Sequence, residues 1–165
     1  MSKVVIVDDV KMQAMRIRAF CKDMEDVEAI AFSDPLEAMS FCEEEAPDLL
    51  LLDLVMPQMD GMDFLKIFRT LHRCQETPVV VISAQDDREV LYEALERGAN
   101  DFLNKPVDPI ELRARARNML KLRKRQLEIE RMNEHLYQLA TTDALTRLAN
   151  RRHFFELLER EMERA

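Results

Sequence analysis

Glycine is scarce in this sequence, with only two among 165 residues, Gly61 and Gly98. A Walker A loop and a G-x-G-x-x-G loop both need closely spaced glycines, so neither nucleotide-binding motif is present. A site built on a Gly-Gly pair is excluded for the same reason. The sequence therefore excludes the classes of protein that hold phosphate groups in a glycine-rich loop.

Cysteine, histidine and long apolar runs are also limited. The three cysteines are Cys21, Cys42 and Cys74. Their odd number and the lack of a C-x-x-C motif favour reduced, mostly buried thiols over a redox or metal role. Three scattered histidines disfavour a structural zinc site: His72, His135 and His153. No window of 18 apolar residues occurs and acidic residues follow the first apolar segment, so we expect no membrane span, no signal peptide and a cytoplasmic location.

Charge is distributed unevenly along the chain, whose formal net charge is −8. Residues 1–108 hold 11 Lys and Arg against 23 Asp and Glu, whereas residues 109–165 hold 13 against 9. A composition shift of this kind predicts a boundary near residue 108. In the basic tail the charges alternate with acidic residues, which favours a solvated helix face over a nucleic-acid site.

Short apolar segments alternate with helical patterns through the first 108 residues. The predicted strands are 3–7, 27–32, 48–53, 78–82 and 101–104. The predicted helices between them are 10–24, 35–45, 61–73 and 86–97. The central strands are continuous apolar runs rather than alternating ones, which is typical of a parallel sheet covered on both faces. We expect a doubly wound α/β domain, with its functional groups beyond the carboxyl ends of the strands.

Polar side chains follow the predicted strands at those ends. They are Asp8 and Asp9 after the first strand, Asp53 at the end of the third, Ser83 after the fourth and Lys105 after the fifth. Each acidic residue taken alone could be a helix cap. Three carboxylates close together repel one another unless one is protonated or a cation lies among them, and oxygen ligands favour Mg²⁺. A carboxylate beside such an ion can attack phosphorus, with the lysine offsetting the phosphoryl charge.

These residues resemble the receiver domain of bacterial two-component response regulators over about residues 1–120. The matching motifs are Asp8-Asp9 after VVIV, the loop Asp53-Leu-Val-Met-Pro-Gln-Met-Asp60-Gly61, Ser83-Ala84 and Lys105-Pro106. The resemblance implies a flavodoxin-like fold, a doubly wound sheet of five parallel strands in the order 2-1-3-4-5. It also implies a phosphoryl donor, either a sensor histidine kinase or a small phosphodonor.

The resemblance assigns a role to each residue of the acidic end of the sheet. Asp53 would be the phosphoacceptor. Asp9 and Asp53 would bind Mg²⁺ directly together with the backbone carbonyl of Val55, while Asp8 would act mainly through water. Lys105 would pair with the phosphoryl group.

The resemblance also implies a switch. Ser83 would be the hydroxyl drawn inward on phosphorylation, and Phe102 the aromatic side chain that moves with it. The Lys105–Pro106 peptide bond would be cis. Val55 and Gln85 occupy positions that tune hydrolysis of the phosphate, and because Val55 offers no polar group to guide water, we expect hydrolysis not to be fast.

The segment after Pro109 predicts a long helix over residues 109–140 with a heptad repeat. One heptad series contains Leu112, Met119, Gln126, Asn133 and Ala140. The other contains Arg115, Leu122, Ile129 and Leu136. Read as a and d positions, they predict a coiled-coil stalk that forms a homodimer or a higher homo-oligomer. The alternative is an amphipathic helix folded back on its own domain.

Residues 142–165 resemble the opening of a GGDEF diguanylate cyclase domain. The match is the D-x-L-T-x-L-x-N-R-R pattern, which runs here from Asp143 to Arg152. The Gly-Gly signature of the catalytic half is absent, so we expect a truncated receiver–cyclase protein that does not itself make cyclic di-GMP. The segment could otherwise be a plain helix-turn-helix.

Other functional classes fit the sequence less well. An adaptor that acts by protein binding without an enzymatic output remains the main alternative. A phosphohydrolase with Asp53 as nucleophile is disfavoured, because such enzymes usually carry a second Asp where this chain has Val55. A DNA-binding regulator is disfavoured because the tail holds no compact basic domain, and we expect neither nucleic acid nor membrane as a partner.

Overall fold

The computed structural model describes residues 1–84, residues 88–141 and residue 162. In these residues five strands and five helices alternate along the chain. The strands are β1 (Ser2–Val7), β2 (Val27–Phe32), β3 (Leu49–Asp53), β4 (Val79–Ala84) and β5 (Asp101–Lys105). The helices are α1 (Lys11–Cys21), α2 (Pro35–Glu44), α3 (Gly61–Thr70), α4 (Arg88–Glu96) and α5 (Pro109–Thr141).

All five strands form one parallel sheet in the order β2-β1-β3-β4-β5. The predicted fold class and strand order are therefore confirmed. Because the strands are parallel, their carboxyl ends lie along one edge of the sheet. The inner strands β1 and β3 both end at this edge. At that edge Asp53 pairs with Ile82, and Ala84 with Lys105.

Alternate residues of each central strand pack on opposite faces of the sheet. One face, with Val5, Leu50 and Val81, packs against buried side chains of α2, α3 and α4. The other face, with Ile6 and Leu51, packs against α1 and the first turns of α5. Burying one such aliphatic side chain contributes about 2 kcal/mol, so both faces hold the sheet in place. The continuous apolar strands follow from this double coverage.

Asp side chains cap the N-termini of three of the described helices. Asp34 accepts a hydrogen bond from the backbone N–H of Leu36 at 2.8 Å, which confirms the predicted start of α2. Asp60 caps α3 in the same way, and Asp108 caps α5. Gly98 follows α4 with a φ of 102°, as expected for a left-handed residue beyond a helix end.

Several helices differ in length from the prediction. Helix α1 ends at Cys21 rather than at residue 24. Helix α3 ends at Thr70 rather than at residue 73, because the chain beyond it turns back and presents backbone carbonyls to Arg69. The start predicted for the fourth helix, at residue 86, lies outside the described residues.

The chain divides into two compact units, Met1–Arg123 and Lys124–Ala165. The first unit contains the sheet and all three cysteines, which are buried and free. In the second unit residues 124–141 are helical, and most of their larger apolar side chains are exposed, with Leu127 half-buried. The segment that resembles a GGDEF opening, residues 142–165, lies outside the described residues except for residue 162. Across residues 1–84 and 88–141, no helix is both long and apolar enough to cross a membrane.

The beginning of the predicted heptad series belongs to the first unit. Leu112 is fully buried against the sheet, and Met119 packs against the same core. Arg115 forms an ion pair with Asp101 on β5. These three positions therefore serve the fold of the first unit.

Candidate phosphoacceptor site

The carboxyl ends of the strands bring four of the predicted residues together. Lys105 Nζ lies 2.6 Å from Asp53 Oδ2 and 3.5 Å from Asp8 Oδ2. One carboxylate oxygen each of Asp8, Asp9 and Asp53 lies within 4.8 Å of the others. The predicted acidic cluster and its lysine are thus present as one site.

Asp53 is nearly inaccessible at the end of β3, with 2% of its surface exposed. Its Oδ1 accepts a hydrogen bond of 3.3 Å from the backbone N–H of Val55, and its Oδ2 accepts one from Lys105. The lysine side chain is about one quarter exposed, so this ion pair joins a buried carboxylate to a side chain that reaches solvent.

Asp8 is fully buried beside it, and only one of its two oxygens accepts a hydrogen bond from the described residues. Oδ1 accepts a hydrogen bond from the backbone N–H of Val10 at 2.9 Å. Oδ2 has no hydrogen-bond partner in the part of the chain that the structure describes. Burial raises the pKa of Asp8, Lys105 opposes the rise, and the charge of Asp53 adds to it. Burial thus disfavours the ionised form of Asp8 even with Lys105 3.5 Å away, and a second cation nearby would favour that form.

The acidic cluster is typical of a receiver magnesium site. Its donors are carboxylate oxygens, which Mg²⁺ prefers, and the buried unsatisfied oxygen of Asp8 is the kind of group that such an ion relieves. Asp9 is half-buried, so it can contribute from the solvent side. The residues present thus fit a hard divalent cation.

Ser83 and Phe102 lie on the strands next to this cluster. Ser83 is 1% exposed, and its Oγ has no hydrogen-bond partner among the described residues. It stands one position beyond Ile82, the residue that pairs with Asp53 in the sheet. Phe102 is half-buried and packs against the core on the α2–α4 face. Ser83 therefore brings a buried hydroxyl, unpartnered among the described residues, to the same edge of the sheet as Asp53.

Two further predictions concern the loops around the site. The Lys105–Pro106 peptide bond is cis, as the resemblance implies. The side chain of Val55 is 65% exposed and apolar, so it offers no hydrogen bond to water. Gln85, the other residue expected to tune hydrolysis, lies outside the described residues.

Gly61 determines how closely the loop after β3 can return to Asp53. A Cβ atom at Gly61 would lie 2.4 Å from the backbone oxygen of Asp53 and 2.5 Å from Leu54 Cα. The Gly61 N–H also donates to the Leu54 carbonyl at 3.0 Å. The sequence motif includes this glycine, but its steric role depends on a loop path that the sequence does not show.

Sequence reasoning misses the role of Arg115, which the heptad pattern assigns to a coiled-coil position. Its guanidinium donates to both oxygens of Asp101 at 2.7 Å and lies 6.0 Å from the centre of the Phe102 ring. Asp101 and Arg115 are 14 residues apart on different elements, so no local sequence signal reveals the pair. The contact ties α5 to the strand that carries Phe102 and Lys105.

Comparison with known proteins agrees with this geometry. Residues 4–117 match the family described as response regulator receiver domain. Among curated relatives, the cyclic di-GMP phosphodiesterase response regulator RpfG of Xanthomonas campestris is 40% identical over 128 residues, 77% of this chain and 34% of that protein. Response regulator PleD of Caulobacter vibrioides is 35% identical over 164 residues, 99% of this chain and 35% of that protein. The chain thus spans about a third of the length of these relatives.

Solved structures give the same result for the fold. The receiver domain of Francisella response regulator 1452 is 31% identical and superposes with a TM-score of 0.66, covering 73% of this chain and 98% of that one. The receiver domain of a LuxO repressor protein from Vibrio parahaemolyticus is 27% identical with a TM-score of 0.72, covering 78% and 97%. Together with the strand order and the acidic cluster at the strand ends, these matches show that the chain belongs to the response regulator receiver domain family, which acts in phosphorylation-dependent signalling.

Proposed function

We propose that Asp53 accepts a phosphoryl group from a sensor histidine kinase or from a small phosphodonor. The observation that carries this proposal is the contact of Asp53 Oδ2 with Lys105 Nζ at 2.6 Å, next to two buried oxygens without hydrogen-bond partners among the described residues. Those oxygens, Asp8 Oδ2 and Ser83 Oγ, are groups that a cation and a phosphoryl oxygen would satisfy. The site is therefore arranged for a charged group that arrives from outside.

In the proposed reaction an Asp53 carboxylate oxygen attacks phosphorus. The new P–O bond forms as the P–N bond of a phosphohistidine breaks, and the bonding electrons return to the imidazole nitrogen. Lys105 moves from the carboxylate to an oxygen of the transferred group and offsets its charge. Asp53 is held in place by the Val55 N–H throughout, which orients the attacking carboxylate.

The acidic residues would hold the magnesium ion that this transfer requires. Asp9 and Asp53 would provide direct ligands together with the Val55 carbonyl, and Asp8 would act mainly through water. When bound, the ion supplies positive charge that offsets the carboxylates and the incoming phosphoryl oxygens. Without such charge, the pKa of Asp8 stays raised by burial and by the neighbouring Asp53.

Phosphorylation would then change the contacts of Ser83 and Phe102. It adds about 1.5–2 negative charges and new acceptor oxygens beside the unsatisfied hydroxyl of Ser83. A hydrogen bond formed in the phosphorylated state alone can shift an equilibrium between two conformations. Movement of Phe102 would alter its contact with Arg115, which belongs to α5. Helix α5 is therefore the element through which we expect the signal to leave the domain.

For the output, we propose that residues 1–120 form the receiver, residues 109–140 a dimerising stalk, and residues 142–165 the start of a GGDEF domain. Exposed apolar side chains on the second unit support self-association. The D-x-L-T-x-L-x-N-R-R pattern and the alignment with PleD over 164 residues support control of a diguanylate cyclase in a longer protein.

Light scattering after size exclusion tests this function. The protein is measured with Mg²⁺, with and without beryllium fluoride as a mimic of the phosphoryl group. We expect the mimic to shift the molar mass or elution of the wild type towards a compact dimer, and to leave Asp53→Asn unchanged. Equal effects of the mimic on both proteins would contradict a role for Asp53, and a monomer under all conditions would contradict the dimerising stalk.

A further inference from the structure

The second unit carries a narrow stripe of exposed apolar side chains, which we name the distal seam. It consists of Ile129, Met132, Leu136 and Leu139, each between 57% and 65% exposed. Their spacings of three, four and three residues follow a heptad repeat. Charged residues, including Glu130 and Glu134, occupy the other side of the helix.

We propose that two copies of this chain pair through the distal seam, with Ile129 and Leu136 at a positions and Met132 and Leu139 at d positions. The inference rests on the proposed self-association through α5 and specifies which surface makes it. It differs from the register expected from the sequence, in which Asn133 would occupy an a position and Met132 would lie beside the interface.

The width of the stripe favours another helix as the occupant. At 100° per residue the four side chains span roughly 80°, whereas a helix that faces a globular core typically carries an apolar stripe of about 100° or more. A stripe that repeats every 3.5 residues is complementary to a second copy of itself about a two-fold axis. A second copy of the chain therefore fits the distal seam better than a folded domain does.

The composition of the seam and of its flanks supports a parallel pair. Ile129 at an a position and Leu139 at a d position are typical of parallel two-stranded coiled coils. In that register Glu128 faces the neutral Asn133 of the other copy, so no like charges oppose each other there. Polar Asn133 then lies at the edge of the interface and stays hydrated.

The size of the seam sets the expected strength of the pairing. Four half-exposed to two-thirds-exposed apolar side chains on each copy would bury roughly 1,000 Å² in total, near the lower limit for a specific interface. We therefore expect a weak dimer whose population depends on protein concentration. Such a dimer can be shifted by a modest change in the receiver.

Two adjacent lysine substitutions test the register. Met132→Lys and Asn133→Lys place the same charge on neighbouring exposed positions of one helix, and lysine is a good helix former. Sedimentation velocity of the full chain over a concentration range, with Mg²⁺ and beryllium fluoride, gives the dissociation constant of the dimer. Far-UV circular dichroism checks that both variants fold.

We expect Met132→Lys to raise the dissociation constant by at least about 100-fold, because it would bury an unpaired charge, and Asn133→Lys to change it by less than about 3-fold. The reverse pattern would overturn the distal seam while leaving self-association intact. Dimers in both variants, or monomers in both, would also overturn it. A wild type that stays monomeric would instead show that the proposed stalk dimerisation fails.

Discussion

Replacing Asp8 with asparagine should make the metal-free protein more stable. Asp8 is completely buried, its Oδ2 has no hydrogen-bond partner among the described residues, and burial raises its pKa. Asparagine has nearly the same shape and no charge. The change removes the cost of burying a carboxylate beside Asp53, at the expense of a weaker attraction to Lys105.

The size of the effect follows from the contacts of the two oxygens. The attraction that is lost acts over 3.5 Å, and Lys105 has a closer partner in Asp53 at 2.6 Å. The hydrogen bond from the Val10 N–H to Oδ1 can be kept by the amide oxygen of asparagine. We expect a net gain of about 1 kcal/mol in the free energy of unfolding, which corresponds to a rise of about 4 °C in Tm.

Magnesium should reverse the order of stability. An ion that binds the native state stabilises it by about 2.7 kcal/mol when its concentration is 100 times its dissociation constant. The wild type gains this stabilisation, whereas Asp8→Asn loses a carboxylate of the site. Urea denaturation of both proteins with EDTA and with saturating Mg²⁺ measures this reversal in their free energies of unfolding. Asp23→Asn, at an exposed carboxylate in the same unit, is the matched control and should change neither value.

The pH dependence of stability tests separately whether Asp8→Asn stabilises the metal-free protein. The raised pKa means that the native state favours protonated Asp8, so the contribution of this group is most favourable below its usual pKa of 3.8 and is lost as pH rises through the native pKa. The advantage of Asp8→Asn should therefore be largest at neutral pH and shrink in acid. A less stable variant in EDTA at pH 7, or an advantage that grows in acid, would refute the reasoning.

Two further substitutions test a close backbone approach at the site and a hydrogen-bond network elsewhere in the same unit. Gly61→Ala should destabilise the protein by about 3 kcal/mol and slow phosphorylation, because the new Cβ would overlap the backbone at Asp53. Urea denaturation and phosphoryl incorporation are measured on the same variant. A normal phosphorylation rate in a stable variant would contradict the steric argument. Arg69→Lys should cost about 2 kcal/mol, because the guanidinium donates to the carbonyls of Thr77 and Gly98 at 2.7 and 2.6 Å. Arg97→Lys, in an exposed ion pair, is the control and should be near neutral in the same denaturation assay.

The sequence predicts the sheet well because its strands are buried on both faces. Continuous apolar runs such as those of β3 and β4 are distinct from the helical patterns around them, and the order of the strands follows the family pattern. Helix ends are less predictable. The apolar periodicity of α3 continues through Leu71 and Cys74, but the chain turns there and presents backbone carbonyls to Arg69, a contact that the apolar pattern does not reveal.

The sequence predicts which residues form the candidate site better than it predicts their energetics. Each strand end contributes a residue at a known place in the sequence, so Asp8, Asp53 and Lys105 could be named beforehand. The unsatisfied oxygens of Asp8 and Ser83 depend on burial and on hydrogen-bond geometry, which need three-dimensional positions.

The heptad repeat of α5 shows the same limit. Sequence spacing allows two registers, because both contain apolar residues at intervals of seven. The burial of Leu112 against the sheet removes the first position of one series from an exposed heptad surface, and such burial is a property of the folded domain that spacing does not show.

The central claim is that Asp53 takes up a phosphoryl group, and intact-mass spectrometry of the protein with a small phosphodonor tests it most directly. With Mg²⁺, we predict the addition of one phosphoryl group to the wild type, none with EDTA, and none for Asp53→Asn. Peptide mapping after reductive trapping of the acyl phosphate should locate the group on the peptide that contains Asp53. Uptake by Asp53→Asn equal to that of the wild type, or no uptake by a folded, magnesium-bound wild type, would contradict the account.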